Sequence, residues 1–249
     1  MKIVQNIFGS NKSSVVTINN GVIINNGRVV GGSISNDNDY HDYTYDDEHI
    51  LDVNGATEID IKAVSTNVDI YYGERFSVKL QGISKSEKRH ELIVKQENRK
   101  VIVAVKEYSG IHNFLRLTIT IPKQTYWYEN LYVETVSGDI LISPTIDREL
   151  FRHMFINSTS GNVTFEEYMV CDDITVESIS GNIDVHSIVL HDINVRLSTV
   201  SGNISLSLEN TWYDMRTRST SGDISMRNKN GGYLCKGSAT SVSGNIIFS

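Results

Sequence analysis

The stretch VESISGNIDV, residues 176–185, decides how this chain is read. Apolar Val176, Ile183 and Val185 alternate with polar neighbours on either side of a Ser-Gly-Asn step. Period-2 alternation around Gly-Asn predicts two short half-buried strands joined by a tight bend. The phrase returns as VETVSGDILI at 133–142 and LSTVSGNISL at 197–206. Six copies place their serines at Ser137, Ser160, Ser180, Ser201, Ser221 and Ser243, 20–23 residues apart. A degenerate seventh, IKAVSTNVDI at 61–70, has Thr66 where the others have glycine.

Stacking the copies on that serine yields clear columns. Four residues before it stand Val133, Ile156, Val176, Leu197, Thr217 and Ala239. Two before it, every residue is a small hydroxyl: Thr135, Ser158, Ser178, Thr199, Ser219 and Ser241. Three after it come Ile140, Val163, Ile183, Ile204, Ile224 and Ile246. One such unit cannot bury its apolar face alone, whereas units stacked in register build a continuous core. The expected fold is therefore all-β, a single-stranded parallel, right-handed β-solenoid of about 21 residues per coil. An antiparallel sandwich or meander built on the same turns is the competing arrangement. The turn residues are Gly138, Asp139, Gly161, Asn162, Gly181, Asn182, Gly202, Asn203, Gly222, Asp223, Gly244 and Asn245. Glycine is expected there because a sharp bend calls for positive φ.

The T-x-S-G-N/D-I-x-I units resemble the bacterial putative-adhesin family of unknown function, whose members are β-solenoids of such coils. LTITIPKQ at 117–124 followed by NLYVETVSGDI resembles that family's strand, Ile-Pro junction and first coil. The likeness spans roughly residues 51–249. It implies an adhesin-like fold, and for some members a link to the envelope-stress response of Gram-positive bacteria.

The remaining chain divides into three parts. Residues 15–32, VVTINNGVIINNGRVVGG, carry repeated Asn-Gly turns, so 1–35 reads as a small β meander. Residues 36–50 read as an acidic linker containing Asp37, Asp39, His41, Asp42, Asp46 and Asp47. That oxygen-rich set suits calcium in kind, but the spacing of a calcium loop is missing. Residues 51–130 hold strands without the regular Ser-Gly signal and are expected as an irregular cap, with QGISKSEKRHELI at 81–93 protruding as a charged loop. The solenoid proper is expected over 131–249.

A net charge of −7, with 23 basic and 30 acidic residues, argues against a general nucleic-acid binder. No apolar run is long enough for a membrane span, and the N-terminus lacks the pattern of a secretory signal, which points to the cytoplasm; the family likeness points to the envelope. Cys171 and Cys235, about three coils apart in sequence, are expected as unpaired thiols.

Catalysis was weighed because some β-helices act on carbohydrates, and glycoside hydrolysis needs paired carboxylates. Outward positions beside the turns hold a mixed set without paired acids: Glu134, Asn157, Glu177, Ser198, Arg218 and Thr240. Asp184, His186, His191 and Asp192 could converge in one return loop as a metal or acid–base group, although such a loop is more often simply polar surface. The expectation is a non-enzymatic binding or scaffolding module with no cofactor. Its interaction stripe would be the residues just before the serines, Val136, Thr159, Ile179, Val200, Thr220 and Val242. The partner would be a protein, peptide or envelope polymer. A carbohydrate-active enzyme is the least favoured alternative. A bactofilin-like homo-oligomer is the structural alternative, since the last coil, ending in Ile246, Ile247 and Phe248, reads as uncapped.

Overall fold

A computed structural model describes strands at Ile3–Ile7, Ser14–Asn19, Val22–Asn25 and Arg28–Gly32, and residues 43–249 apart from 54, 85–89, 108–112, 123–127, 144–150, 170, 190 and 228–230. Among the described residues there is no helix. The first four strands form an antiparallel sheet in chain order. Everything else is two large sheets, of nine strands and of ten in line with an eleventh, Tyr168–Met169, on the side. They share one core, which includes Ile59, Val133, Ile156, Val176 and Leu197 from one sheet and Val68, Ile140, Val163, Ile183 and Ile204 from the other.

Each Ser-Gly repeat contributes one strand to each sheet and bends between them. Cys171–Ser178 lies in the first sheet and Ile183–Val189 in the second. Successive repeats pair in parallel, with Thr135 opposite Ser158, Ser158 opposite Ser178, and Ser178 opposite Thr199. The alternation of the sequence is the alternation of burial: in Cys171–Ser178 the pattern is Cys171, Ile174, Val176 and Ser178 inward. The architecture is thus all-β and solenoid-like, two mixed sheets dominated by parallel pairing.

The stacking order departs from the chain order at two places. Ile193–Thr199 pairs not with the next repeat but with Tyr233–Ser241, and Thr211–Ser219 lies outside that strand. The second sheet repeats this, with Ile246–Phe248 between Ile204–Glu209 and Ile224–Met226. The C-terminal coil is therefore an interior layer, with Ile246 and Phe248 fully buried, and the expectation of an uncapped C-terminal coil is wrong. The open end is the layer 211–226. The exchange requires the chain to cross itself, and Gly231 marks the crossing. A β-carbon there would lie 2.1 Å from the Thr211 nitrogen and 2.3 Å from the Asn210 carbonyl carbon. Gly232 and Tyr233 N–H groups both donate to the Asn210 carbonyl, tying the crossing together.

At the other end, residues 51–130 are more than an irregular cap. Glu58–Lys62 and Asn67–Gly73 form a regular layer, the degenerate repeat, directly beneath the 128–142 layer. Lys100–Lys106 and Asn113–Pro122 form another layer in parallel beyond it. Antiparallel strands then close the stack: Glu91–Glu97 on one sheet, Phe76–Ser84 and Tyr43–Leu51 on the other. Tyr43–Leu51 comes largely from the segment expected as an acidic linker. The 81–93 segment is strand at both described ends, with His90 buried and its N–H donating to the Tyr45 hydroxyl at 2.9 Å. The exchange also brings Cys235 two layers from Cys171 rather than three; both are buried and unbridged.

Candidate functional site

The Ser-Gly bends form one long edge of the molecule, built from four parallel ladders. The glycines approach most closely. A β-carbon on Gly161 would fall 2.0 Å from the Gly138 carbonyl oxygen, one on Gly181 2.0 Å from that of Gly161, and one on Gly202 2.0 Å from that of Gly181. None of the repeat glycines has positive φ; among the described glycines only Gly55, Gly82 and Gly237 do. The glycines stand where the sequence predicts them, but not for positive φ. Glycine is required because its own α-carbon rests directly on the carbonyl of the neighbouring layer, leaving no room for a side chain.

Behind the glycines runs the hydroxyl column. The Ser178 hydroxyl accepts the Gly181 N–H at 2.9 Å, and the Thr199 hydroxyl accepts that of Gly202 at 3.0 Å while donating to the Gly181 carbonyl at 3.2 Å. These buried hydroxyls thus satisfy backbone groups that the bend removes from the strand ladder. In front, the Asn/Asp side chains bond the backbone of the next layer. Asp139 accepts the Asn162 N–H at 2.8 Å, Asn162 that of Asn182 at 3.0 Å, and Asn182 that of Asn203 at 2.9 Å. The ladder then passes to Asn245 and ends at Asp223, following the exchanged layers. These turn residues are spent on holding the stack.

Glu107 seals the other end of the ladders. Its carboxylate accepts the backbone N–H groups of Val64, Ser65 and Thr66 at 2.8–3.0 Å, the Thr66 hydroxyl at 2.7 Å, and the Ser65 hydroxyl. Burial raises its pKa, but the hydrogen bonds from Ser65, Thr66 and the Val64 and Ser65 backbone outweigh burial and hold it below the usual carboxylate value. The sequence reading missed this residue, because nothing local marks Glu107 as the partner of a turn about forty residues earlier.

The fourth ladder faces solvent. Its members in stacking order are Val64, Val136, Thr159, Ile179, Val200, Val242 and Thr220, all exposed. The apolar ones are 46–54% exposed, an unusual level for branched apolar side chains in series. At about 4.8 Å per layer the column is about 29 Å long. All six stripe residues named from sequence fall in it, with Val64 added by the degenerate repeat.

Two aromatic features were not anticipated. Tyr132 and Phe155 stack across adjacent layers on the outer face of the first sheet, centroids 5.1 Å apart and planes at 11°, with Lys100 Nζ 5.5 Å over the Tyr132 ring. The signal was present in the sequence, since both stand five residues before a repeat serine. Near the open end, Asp192, Trp212, Tyr213, Asp214, Gly231 and Tyr233 line most of a cleft of about 540 Å³. Here the exchange of layers matters, because it places Leu234, the neighbour of Trp212 across the strands, with its N–H on the Asp192 carboxylate.

The group with metal or acid–base character does not assemble. Asp184 and His186 lie on the Ile183–Val189 strand, and the Asp192 carboxylate accepts the Leu234 N–H at 2.9 Å. Among the described residues no three His, Cys, Asp or Glu side chains come together to hold a metal ion. Asp46 pairs with Lys79 at 3.3 Å and Asp47 with His49 at 3.6 Å; Asp37, Asp39, His41 and Asp42 lie outside the described residues. Among the described residues no helix is long and apolar enough to cross a membrane.

No curated protein matches the chain. Among solved structures it is similar to a "putative cell adhesion protein" from Clostridium sporogenes, at 11% identity over 83% of this chain and 99% of that one, TM-score 0.49. A "putative adhesin" from Bacteroides fragilis matches at 11% identity over 83% and 97% of the two chains, TM-score 0.42. A "putative lipid binding protein" from Parabacteroides distasonis matches at 13% identity over 82% and 97%, TM-score 0.35. The family model described as Toastrack DUF4097 matches residues 56–249, from just before the Glu58–Lys62 strand to residue 249. The chain, on that match, belongs to the Toastrack DUF4097 family.

Proposed function

We propose that this protein is a non-enzymatic, adhesin-like binding module that offers the side of a rigid stack to an extended partner at the cell envelope. The observation that carries the reading is the solvent-facing column from Val64 to Thr220. Contiguous exposed apolar side chains on a soluble surface mark interaction sites. Here the fold holds them at a fixed repeat, so a peptide, protein or polymer with its own regular spacing would gain affinity from many small contacts. We take the coils to wind in the right-handed sense usual for parallel crossovers, at about 21 residues per turn.

Cosedimentation with purified, insoluble cell-wall material tests this reading. Wild-type protein should pellet with the wall fraction, and a variant carrying Val136→Lys, Ile179→Lys and Val200→Lys should stay in the supernatant with an unchanged melting temperature. Equal pelleting of the two proteins, or no pelleting of the wild type, would remove the stripe as the binding surface.

A further inference from the structure

Among the described residues the stack is unfinished at one end. Ile224 and Met226 of the outermost layer are 45% and 37% exposed, whereas their parallel partners Ile246 and Phe248 are fully buried. The outer edge of Thr211–Ser219 is the end of its sheet. Just outside this strand, the Asn210 carbonyl accepts the Gly232 N–H at 2.9 Å and the Thr220 N–H donates to the Ser241 carbonyl at 3.3 Å, both towards Tyr233–Ser241. Strand residues alternate the side to which they turn their N–H and C=O. Tyr213, Met215 and Thr217 therefore turn theirs to the open edge. The opposite end of the stack is closed by antiparallel strands bearing Glu91, Lys95 and Glu97, and Asp46, Asp47 and Glu48. Charges of that kind discourage edge pairing.

An edge that pairs with its own copy does so antiparallel, about a two-fold axis. With odd-numbered residues making the bonds, three central registers are open. An axis at Asp214 would set two aspartates face to face, and one at Arg216 would set two arginines face to face. An axis at Met215 instead puts Asp214 opposite Arg216 of the second copy, and Trp212 opposite Arg218 of the second copy. These are favourable cross-strand charge and cation–π pairs, each made twice by symmetry. We propose that two copies of this chain join edge to edge along Thr211–Ser219, with the two-fold axis at Met215. The dimer continues the first sheet across the junction and brings a second apolar end against Met215, Ile224 and Met226. The charged edge strands at the far end of each copy discourage further pairing, so assembly stops at two. This goes beyond the binding-module reading and leaves the side stripe accessible on both halves.

Sedimentation velocity on the full chain across a wide concentration range tests the proposal. A reversible monomer–dimer equilibrium is expected. Asp214→Arg and Arg216→Asp should each raise the dissociation constant about tenfold or more, since each reversal creates two like-charge contacts, and the double variant should recover the wild-type value. Met215→Cys gives a second reading. Antiparallel hydrogen-bonded partners have Cα atoms about 5.5 Å apart, within disulfide reach, so mild oxidation should cross-link the dimer. A monomer at every concentration, oligomers that keep growing, or a dimer indifferent to both reversals would each overturn it.

Discussion

The carbonyl oxygen of Gly161 lies 2.0 Å from the place where a β-carbon on Gly181 would sit. No real β-carbon approaches a backbone oxygen that closely, so the repeat step is dictated by what fits between two bends.

Gly181→Ala should accordingly cost about 3 kcal/mol, because even a methyl group forces neighbouring layers apart. Gly55 is the control, having positive φ of 69° and open space around it. There Ala should cost about 1 kcal/mol and Asn less, since Asn tolerates that conformation. Chemical denaturation of the variants separates the two causes; a Gly181→Asn protein as stable as wild type would restore the positive-φ explanation.

The exchanged layer order predicts unequal consequences at equivalent repeat positions. Ile246→Ala should lose about 3 kcal/mol as a fully buried side chain, and Ile224→Ala about 1 kcal/mol or less. Deleting residues 237–249 should unfold the C-terminal half, because it empties an interior layer. Equal denaturation midpoints for the two alanine variants would contradict the order.

Glu107 makes stability depend on acidity. Its folded pKa lies below the unfolded carboxylate value of about 4.3, so its contribution is complete above that pH and is lost as pH falls through the folded value. Glu107→Gln should be less stable than wild type at neutral pH, and the gap should narrow as pH falls below about 4.3. Denaturation midpoints measured from pH 7 to 3 give the answer; a constant gap would mean the charge is immaterial.

Burial pushes the Cys235 thiol up to about 12. With an unfolded value of about 8.5, the buried neutral thiol adds its full stability below that pH and loses it as pH rises towards 12. At pH 8 a thiol reagent should label Cys235 only at the rate of unfolding; rapid labelling of the native protein at this site would show that the layer opens.

Whereas Tyr43–Leu51 was expected as a linker, the strands of the Ser-Gly repeats, their bends, the side that faces the core and the residues of the exposed stripe were readable from sequence. Each follows from alternation and turn chemistry within a dozen residues. The family likeness rested on those same local units. Even the crossing point left a trace in Gly231–Gly232, although nothing nearby revealed what those glycines had to avoid. What the tertiary structure alone decided is which layer lies next to which. Each of the six Ser-Gly coils carries a Ser or Thr hydroxyl, a glycine and an Asn or Asp in its bend, so each can rest on any other of them. The choice is made by closure of long segments and by fit between non-consecutive layers. That choice buried the C-terminal coil, exposed Ile224 and Met226, set the Leu234 N–H on the Asp192 carboxylate, and brought Glu107 to the end of the ladder.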